Sequence, residues 1–591
     1  MMKGGRRKKA GWIMFVLAVS LLAGCGDSDG SGTGTLVSPD ETYEKASAQD
    51  YTLRDKDSLY KEEYDSEVTT MYLTVGQGNA DDGTNHTWKE VNAYSVDYYE
   101  ENNIQPYMCE AVLQAGDEEG PLKGEFGYGE LAANATVRLR GSGASARQQK
   151  SYRIDIKDGK GKWEGQKTVI LNKDFSDPTR FHNKLAYSLM QDVDQIISVR
   201  TSFVHLYVKD KTEGENGLFQ DYGLYTQVEQ INKTYLKNHD FDNGGQLYKA
   251  EDFDWGRHED SIVLATDSNF DAQLFEQYLE IKGSDDHTKL IDLLTAVNDD
   301  TIPIGEVIDK YFDQDNLYYW MAFQILTGNK EDGTGNYYLY SPSMMEKWYI
   351  ISWDNDGAFS EAYKRMQDES YESSWNAGIF TYTDAALFSR LLKDKECRNM
   401  LDQAVEDLKQ DYLTADRINE KAQAYKALVK PYLYSLPDRM YARVSEADYE
   451  LLADGLAGEV EDNYRAYKES LGQPWPFHIL EPQIRGSQLN LRWEASWVFG
   501  GDVTYTVELS DTYSFADPLV SETNVSETSL AVDSLAPGQY FVRVRADSGS
   551  GYSQDAYEYY RTEQGTTVYS VQCFYVLEDG SIAVSYYYED E

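Results

Sequence analysis

Cysteine is nearly absent from the 591 residues: Cys25, Cys109, Cys397 and Cys573 are the only four. The three after Cys25 lack metal-ligand spacing, which argues against a zinc site or a disulfide framework and leaves room for at most one bridge. Histidine is also sparse, and the seven (86, 182, 205, 239, 258, 287, 478) form no ligand-spaced cluster. The patterns HExxH and GxxxxGK[ST] do not occur, and GxSxG occurs once, as GDSDG at 26–30, in a polar stretch with no strand leading into it, so a zinc metalloprotease or a serine hydrolase would need a nonstandard site. Basic charge is in deficit. With 101 acidic against 55 basic residues, the formal charge of −46 repels phosphate backbones and excludes nucleic acid as an expected partner. Cations and basic polypeptides are favoured instead, although such acidity also serves plain solubility. The apolar run WIMFVLAVSLLAGC, residues 12–25, falls short of the length that spans a bilayer comfortably.

What is present begins with that run. MMKGGRRKKAG precedes it and GDSDGSGTG follows, a basic, then apolar, then small-residue order that resembles a bacterial lipoprotein signal. The LLAGC lipobox implies cleavage before Cys25, a lipid on its sulfur, and an extracytoplasmic, membrane-anchored chain. Apolar residues make up 41%, which excludes a wholly disordered chain, and the length suggests roughly two to four domains.

Residues 1–25 are therefore read as a signal peptide and 26–65, rich in Gly, Ser, Asp, Glu and Lys, as a flexible linker. From 66 to 473 a strand-rich half (VTTMYLTV, ATVRLRG, KSYRIDIK, TVILN, SFVHLYV) gives way to a helix-rich half (271–328 and 384–470), with a helix expected to open near Asp177 and Pro178. A boundary is expected near PWPF, 474–477. LNLRWEAS, VTYTVELSD and LAPGQYFVRVRA then resemble a fibronectin type III sandwich over 474–563, and 564–591 reads as one more hairpin or tail.

The most informative stretch is 317–360. An apolar helix face (Leu317, Trp320, Met321, Ile325) stops at Gly328, an acidic glycine-rich loop follows, and YYLYS and WYIIS flank a turn at Pro342 as a hairpin. Pairing Tyr340 with Tyr349 puts Asn336 opposite Trp353 and Asp354. Asp332, Asn336, Asp354 and Asp356 then gather oxygen ligands suited to Mg²⁺. One Asp within reach of a substrate hydroxyl serves as base while an Asn and a second Asp hold the metal, the division of labour in protein kinases. An isolated DGTG would more often be a simple turn; WDND across the hairpin weighs against that. Upstream, Arg140, the small-residue loop SGASARQQ and Lys150 offer cations and amides for polyphosphate, and Glu229 offers a partner for such a lysine.

These segments resemble the spore coat protein H (CotH) kinase family: VRLRGSGASARQQKSYRIDIK, TVILNKDFSDPTRFHNKLAYSLM, FVHLYV, YGLYTQVEQINKTYL, NKEDGTGNYYLYS and WYIISWDNDGAF, in that order. The resemblance implies an α+β, two-lobed atypical protein-kinase-like domain, β-rich then helical, followed here by an all-β sandwich. It implies ATP and Mg²⁺ as cofactors and serines of spore-coat or cell-surface proteins as acceptors, and the acidity of the chain would suit basic, serine-rich ones. Carried over by position, Asp332 is the catalytic aspartate, with Glu331 the alternative at the family's usual spacing. Asn336 and Asp354 are metal ligands with Asp356 beside them, and Arg140 and Lys150 contact phosphate. The competing expectation is a non-catalytic surface lipoprotein whose 48 Tyr and 11 Trp bind wall polymers, glycans or host proteins.

Overall fold

The computed structural model describes residues 53–214, 217–330, 333–367, 375–562 and 565–585. Residues 1–52, which contain Cys25, and the pair Glu331 and Asp332 lie outside the described residues. Twelve strands build the part of the chain that carries the site. The first eight are β1 (Val68–Gly76), β2 (Cys109–Asp117), β3 (Gly120–Pro121), β4 (Ala135–Leu139), β5 (Tyr152–Ile156), β6 (Thr168–Asn172), β7 (Thr201–Asp210) and β8 (Gln220–Glu229). They hydrogen-bond in the order β1-β7-β8-β6-β5-β4-β2-β3. A further pairing of β1 with β2, Leu73 opposite Leu113, closes this sheet on itself into a barrel. Closure removes most free edges and points one side chain in two inward. The inward set, among them Leu73, Val75, Val137, Ile154, Val169 and Leu206, forms one buried cluster with Trp88.

The helical half is organised around Gln314–Thr327. Its N-terminus is capped by Asp313, whose side chain accepts from the Asn316 N–H, and it ends at Gly328 with φ 68°. The expectation of one apolar face is too narrow: from Asn316 to Thr327 every residue but Tyr319 is buried. A helix apolar nearly all round belongs in the centre of a core, and this one packs on Lys395–Asp407, on Glu446–Ser470 and on a second sheet. That sheet runs β10-β9-β11-β12, with β9 (Gln246–Ala250), β10 (Leu279–Ile281), β11 (Tyr337–Ser341) and β12 (Tyr349–Ser352). In the β11–β12 hairpin Tyr340 pairs with Tyr349, the expected register, but where alternation was expected every residue of both strands is buried.

Two local expectations change. The helix expected to open near Asp177 starts later, at His182, because Arg180 adopts φ 65° and breaks the turn. Asp177 still serves the helix: its carboxylate accepts from His182 N at 2.7 Å and Thr179 N at 2.6 Å. The linker, expected to be flexible to residue 65, is docked from Leu53 onward. Asp55 accepts from Ser198 N and faces His239, and Asp65 accepts from Tyr425 and Ser188 hydroxyls and pairs with Lys184. Such carboxylates read as solvated in a polar stretch, but here each answers a buried cation.

Beyond the helices the chain is all β. A three-stranded sheet (Ile479–Arg485, Gln488–Trp493, Ser529–Asp533) faces a six-stranded one across a core containing Phe477, Leu491, Trp493, Val507 and Val544. Val571–Val576 and Ile582–Ser585 pair as the expected hairpin and extend the six-stranded sheet, Val571–Val576 pairing with Gly538–Ser548. Trp475 belongs to the helical core and Phe477 to the sandwich core. Cys109, Cys397 and Cys573 are buried and unbridged. Among the described residues no helix is long and apolar enough to cross a membrane.

Candidate active site

The barrel and the helical half meet at a cleft of about 630 Å³. Its floor is set by the β11–β12 hairpin. Trp353 N donates to Asn336 O at 2.9 Å, so Asn336 at the mouth of β11 stands opposite the residues leaving β12. Asn336 and Asp354 both adopt left-handed backbone, φ 61° and 55°. Asn and Asp tolerate this region better than other residues with a Cβ, and such conformations concentrate at functional sites. Asp354 is held there by Tyr187, whose hydroxyl accepts its N–H at 3.1 Å, and the next N–H, of Asn355, goes to Asn183 Oδ1 at 3.1 Å. The helix His182–Met190 thus fixes the backbone of the WDND turn.

Asn336, Asp354 and Asp356 all line the cleft, as does Arg140. Asp356 accepts from Ser176 Oγ at 2.8 Å. Arg140 bonds Asn172 Oδ1 and lies over the Trp353 ring at 5.9 Å; burial lowers its pKa, opposed by Asp354. Two expected residues are elsewhere. Lys150 is absent from the cleft lining because its ammonium turns back to the Ser145 carbonyl at 2.6 Å, within its own loop. Glu229 pairs with no lysine: it is buried against Arg200 Nε at 2.9 Å, with His239 Nε2 3.1 Å away. β8 carries it to the far end of the barrel, where Arg200 precedes β7 and satisfies it better than a distant lysine could.

Residues not singled out from the sequence complete the wall. Asp174, just past β6, is 8% exposed; burial pushes its pKa up to about 7, and among the described residues its Oδ2 has no hydrogen-bond partner. An orphaned buried carboxylate oxygen is costly unless something arrives to use it. Lys173 beside it is anchored: Nζ reaches Asp438 Oδ1 at 2.7 Å and the carbonyls of Tyr222 and Leu224 at 2.8 Å each. Burial lowers its pKa to about 8 against the pull of Asp438, and its three donors are all spent on the protein. The only local signal for Asp174 and Lys173 is a polar NKD run ending an apolar strand. Asp438 had no signal, arriving from the far end of the helical half.

The donor chemistry fits Mg²⁺, which takes oxygen ligands and keeps water or phosphate oxygens in its other positions. Asn336 and Asp354 supply an amide and a carboxylate oxygen, and Asp174 has an oxygen to spare. Among the described residues no three His, Cys, Asp or Glu side chains enclose a cation by themselves. Water and substrate phosphate would complete the shell.

Residues 137–467 match the family described as CotH kinase protein. The chain belongs to the CotH kinase family. The match begins in β4 and ends in Glu446–Ser470, so it covers Arg140, Asn336 and Asp354 and leaves out the C-terminal sandwich. Among solved structures, the Helicobacter pylori proinflammatory kinase CtkA is 12% identical at a TM-score of 0.25, covering 54% of this chain and 95% of that one. HipA, from a Shewanella oneidensis MR-1 toxin–antitoxin complex with HipB and operator DNA, is 12% identical at a TM-score of 0.21, covering 57% and 66%. No curated protein matches the chain.

The glycines of the CotH-family DGTGN segment act by close approach. A Cβ on Gly335 would lie 2.2 Å from the Glu251 carbonyl oxygen, and one on Gly333 would lie 2.1 Å from that of Thr381. Both obstacles are backbone, so the loop itself would have to move. Gly335→Ala is expected to displace Asn336, cutting kcat at least about tenfold while costing roughly 1–3 kcal/mol of stability. Kinetics and thermal unfolding of the same variant check both halves of this expectation.

Proposed function

We propose that this CotH-family protein is an exported, lipid-anchored kinase that transfers the γ-phosphate of ATP to serine hydroxyls of basic, serine-rich spore-coat or cell-surface proteins. The observation that carries the reading is the meeting of Asn336 and Asp354 across one hairpin, in a cleft that also holds Arg140 and the unpartnered oxygen of Asp174. Mg²⁺ held there would neutralise charge on the transferred phosphoryl group. The protein's own groups orient and exclude. Tyr187 and Asn183 keep the Asp354 turn rigid, and Arg140 balances the carboxylates from above Trp353. A carboxylate of the 331–332 pair accepts the serine proton as the new serine O–P bond forms and ADP leaves. A net charge of −46 favours acceptors with basic residues around the serine.

The test is transfer of label from γ-labelled ATP with Mg²⁺ onto a Lys/Ser-rich protein, followed by acid hydrolysis to identify the labelled residue. Phosphoserine is expected, with transfer lost in a variant lacking both carboxylates of the pair, Glu331→Ala with Asp332→Ala. Label no higher than in that variant would contradict the proposal.

A further inference from the structure

Six cationic side chains line the cleft: Arg140, Arg147, Lys173, Lys249, Lys364 and Arg443. Four are committed to the protein. Lys173 spends its donors on Asp438 and two carbonyls, Lys249 pairs with Glu251, Lys364 lies 3.5 Å from Glu361, and Arg140 is engaged by Asn172 and faces Asp354. Arg147 and Arg443 remain. Among the described residues neither makes an ion pair, their contacts being a hydroxyl, a carbonyl and aromatic rings, in a chain where acidic side chains outnumber basic ones 101 to 55.

Both are nevertheless positioned. Their guanidinium carbons lie 5.4 Å (Arg147) and 4.8 Å (Arg443) from the centre of the Phe175 ring. A cation over an aromatic face is weakly attracted and loses little hydration there. Arg443 is steadied further, with Nε donating to Tyr363 Oη at 2.9 Å and Nη1 to the Phe175 carbonyl at 3.4 Å; Nη2 is used by neither bond. Arg180, 5.7 Å from the same ring centre, is buried and spends its guanidinium on Gln149 and the Lys173 carbonyl. Arg147 comes from the loop between β4 and β5 and Arg443 from the turn before Glu446–Ser470, so the two sides of the cleft each send one arginine to one phenyl ring. Ser176, next to Phe175, bonds Asp356, which sets the ring beside the acidic wall.

We propose that Arg147 and Arg443 form a two-guanidinium clamp for a phosphate group. The inference rests on the phosphotransfer reading and deepens it. Both guanidiniums stand at one ring in one cleft, and a planar fork of N–H donors matches phosphate oxygens two at a time. A phosphate bound by both would tie the barrel to the helical half. The phosphate belongs either to the nucleotide's polyphosphate tail or to an acceptor that already carries phosphate; the chemistry of recognition is shared.

The experiment titrates the full chain, Arg147→Gln, Arg443→Gln and the double variant with four probes: ATP with Mg²⁺, adenosine, inorganic tripolyphosphate and a phosphoserine peptide. Both arginines are surface-accessible, so the variants are expected to unfold at the wild-type temperature, which is measured alongside. Each single change is expected to weaken ATP and tripolyphosphate about tenfold and the double change about a hundredfold, with adenosine unaffected. If ATP and tripolyphosphate bind the double variant within twofold of wild type, and the peptide does too, the clamp is wrong even where the kinase reading stands. If tripolyphosphate binds in an arginine-dependent way and ATP not at all, the clamp stands and the nucleotide reading falls. Arginine-dependent binding of the peptide alone assigns the clamped phosphate to the acceptor. Equal loss of adenosine and ATP overturns the clamp, since that would report a disturbed cleft rather than a lost phosphate contact.

Discussion

Asp354→Asn is expected to lower phosphotransfer by about a thousandfold or more, the loss of several kcal/mol of transition-state stabilisation that follows if the carboxylate proposed to hold the metal becomes neutral. Asparagine is the informative replacement. Asp354 sits at φ 55°, a region asparagine also tolerates, so the turn held by Tyr187 and Asn183 keeps its shape. Alanine would add backbone strain to the loss of charge. With the fold preserved, the expected signature is a collapsed kcat, a raised Mg²⁺ requirement and an unfolding temperature within a few degrees of wild type. Steady-state kinetics across a Mg²⁺ series, with thermal unfolding as control, measures all three. Full activity in the Asn variant would remove Asp354 from the site.

Glu229→Ala is expected to be the most damaging single change to stability, at roughly 3–5 kcal/mol, because removing one member of a buried pair leaves the others charged and unpaired. Arg200 and Glu229 side chains are 6% and 1% exposed, and His239 beside them is 0% exposed. Burial alone would raise the Glu229 pKa, but hydrogen bonds from Arg200 and His239 prevail and hold it at about 2 against an ordinary 4.5. Burial would lower that of His239, yet Asp55 and Glu229, one on each ring nitrogen, raise it to about 9 from 6.5. The signs follow from linkage. Glu229, with a depressed folded pKa, contributes stability that is present above 4.5 and lost as pH falls toward 2. His239, with a raised folded pKa, contributes stability that is complete below 6.5 and lost as pH climbs through 9. This network is therefore strongest between about pH 4.5 and 6.5. Urea unfolding across pH is expected to show both limbs in the wild type and a flattened acid limb in the variant.

The same network shows where the sequence could be read and where it could not. The β11–β12 hairpin was legible because two apolar, aromatic runs flank a short turn at Pro342 and the turn length fixes which residues face each other, which brings Asn336 to the WDND turn even though both strands are buried on both faces. The stop at Gly328 was legible for the same local reason. Asp55 and Asp65 were not, since in a polar stretch a carboxylate that will meet His239 or Lys184 looks like one that will meet water. Lys150 misled because a lysine after a small-residue loop points to a ligand by type, while its direction is set by the Ser145 carbonyl five residues earlier. The frame of the cleft was beyond local reading altogether. Gln149 meets Asp438 and Phe175 meets Arg443 across 289 and 268 residues, distances over which no spacing rule operates.

That frame is what the central claim concerns: a cleft built to hold a metal-bound nucleotide. Its most direct test is the unfolding midpoint of the wild type and of Asp354→Asn, each with ATP alone, Mg²⁺ alone and both together. Ligand at about a hundred times its Kd stabilises the folded state by about 2.7 kcal/mol, a clear upward shift. The account predicts that shift for wild type with ATP and Mg²⁺ together, little with either alone, and its loss in Asp354→Asn. A wild-type midpoint indifferent to ATP and Mg²⁺ would contradict the account and favour a surface protein that binds no nucleotide.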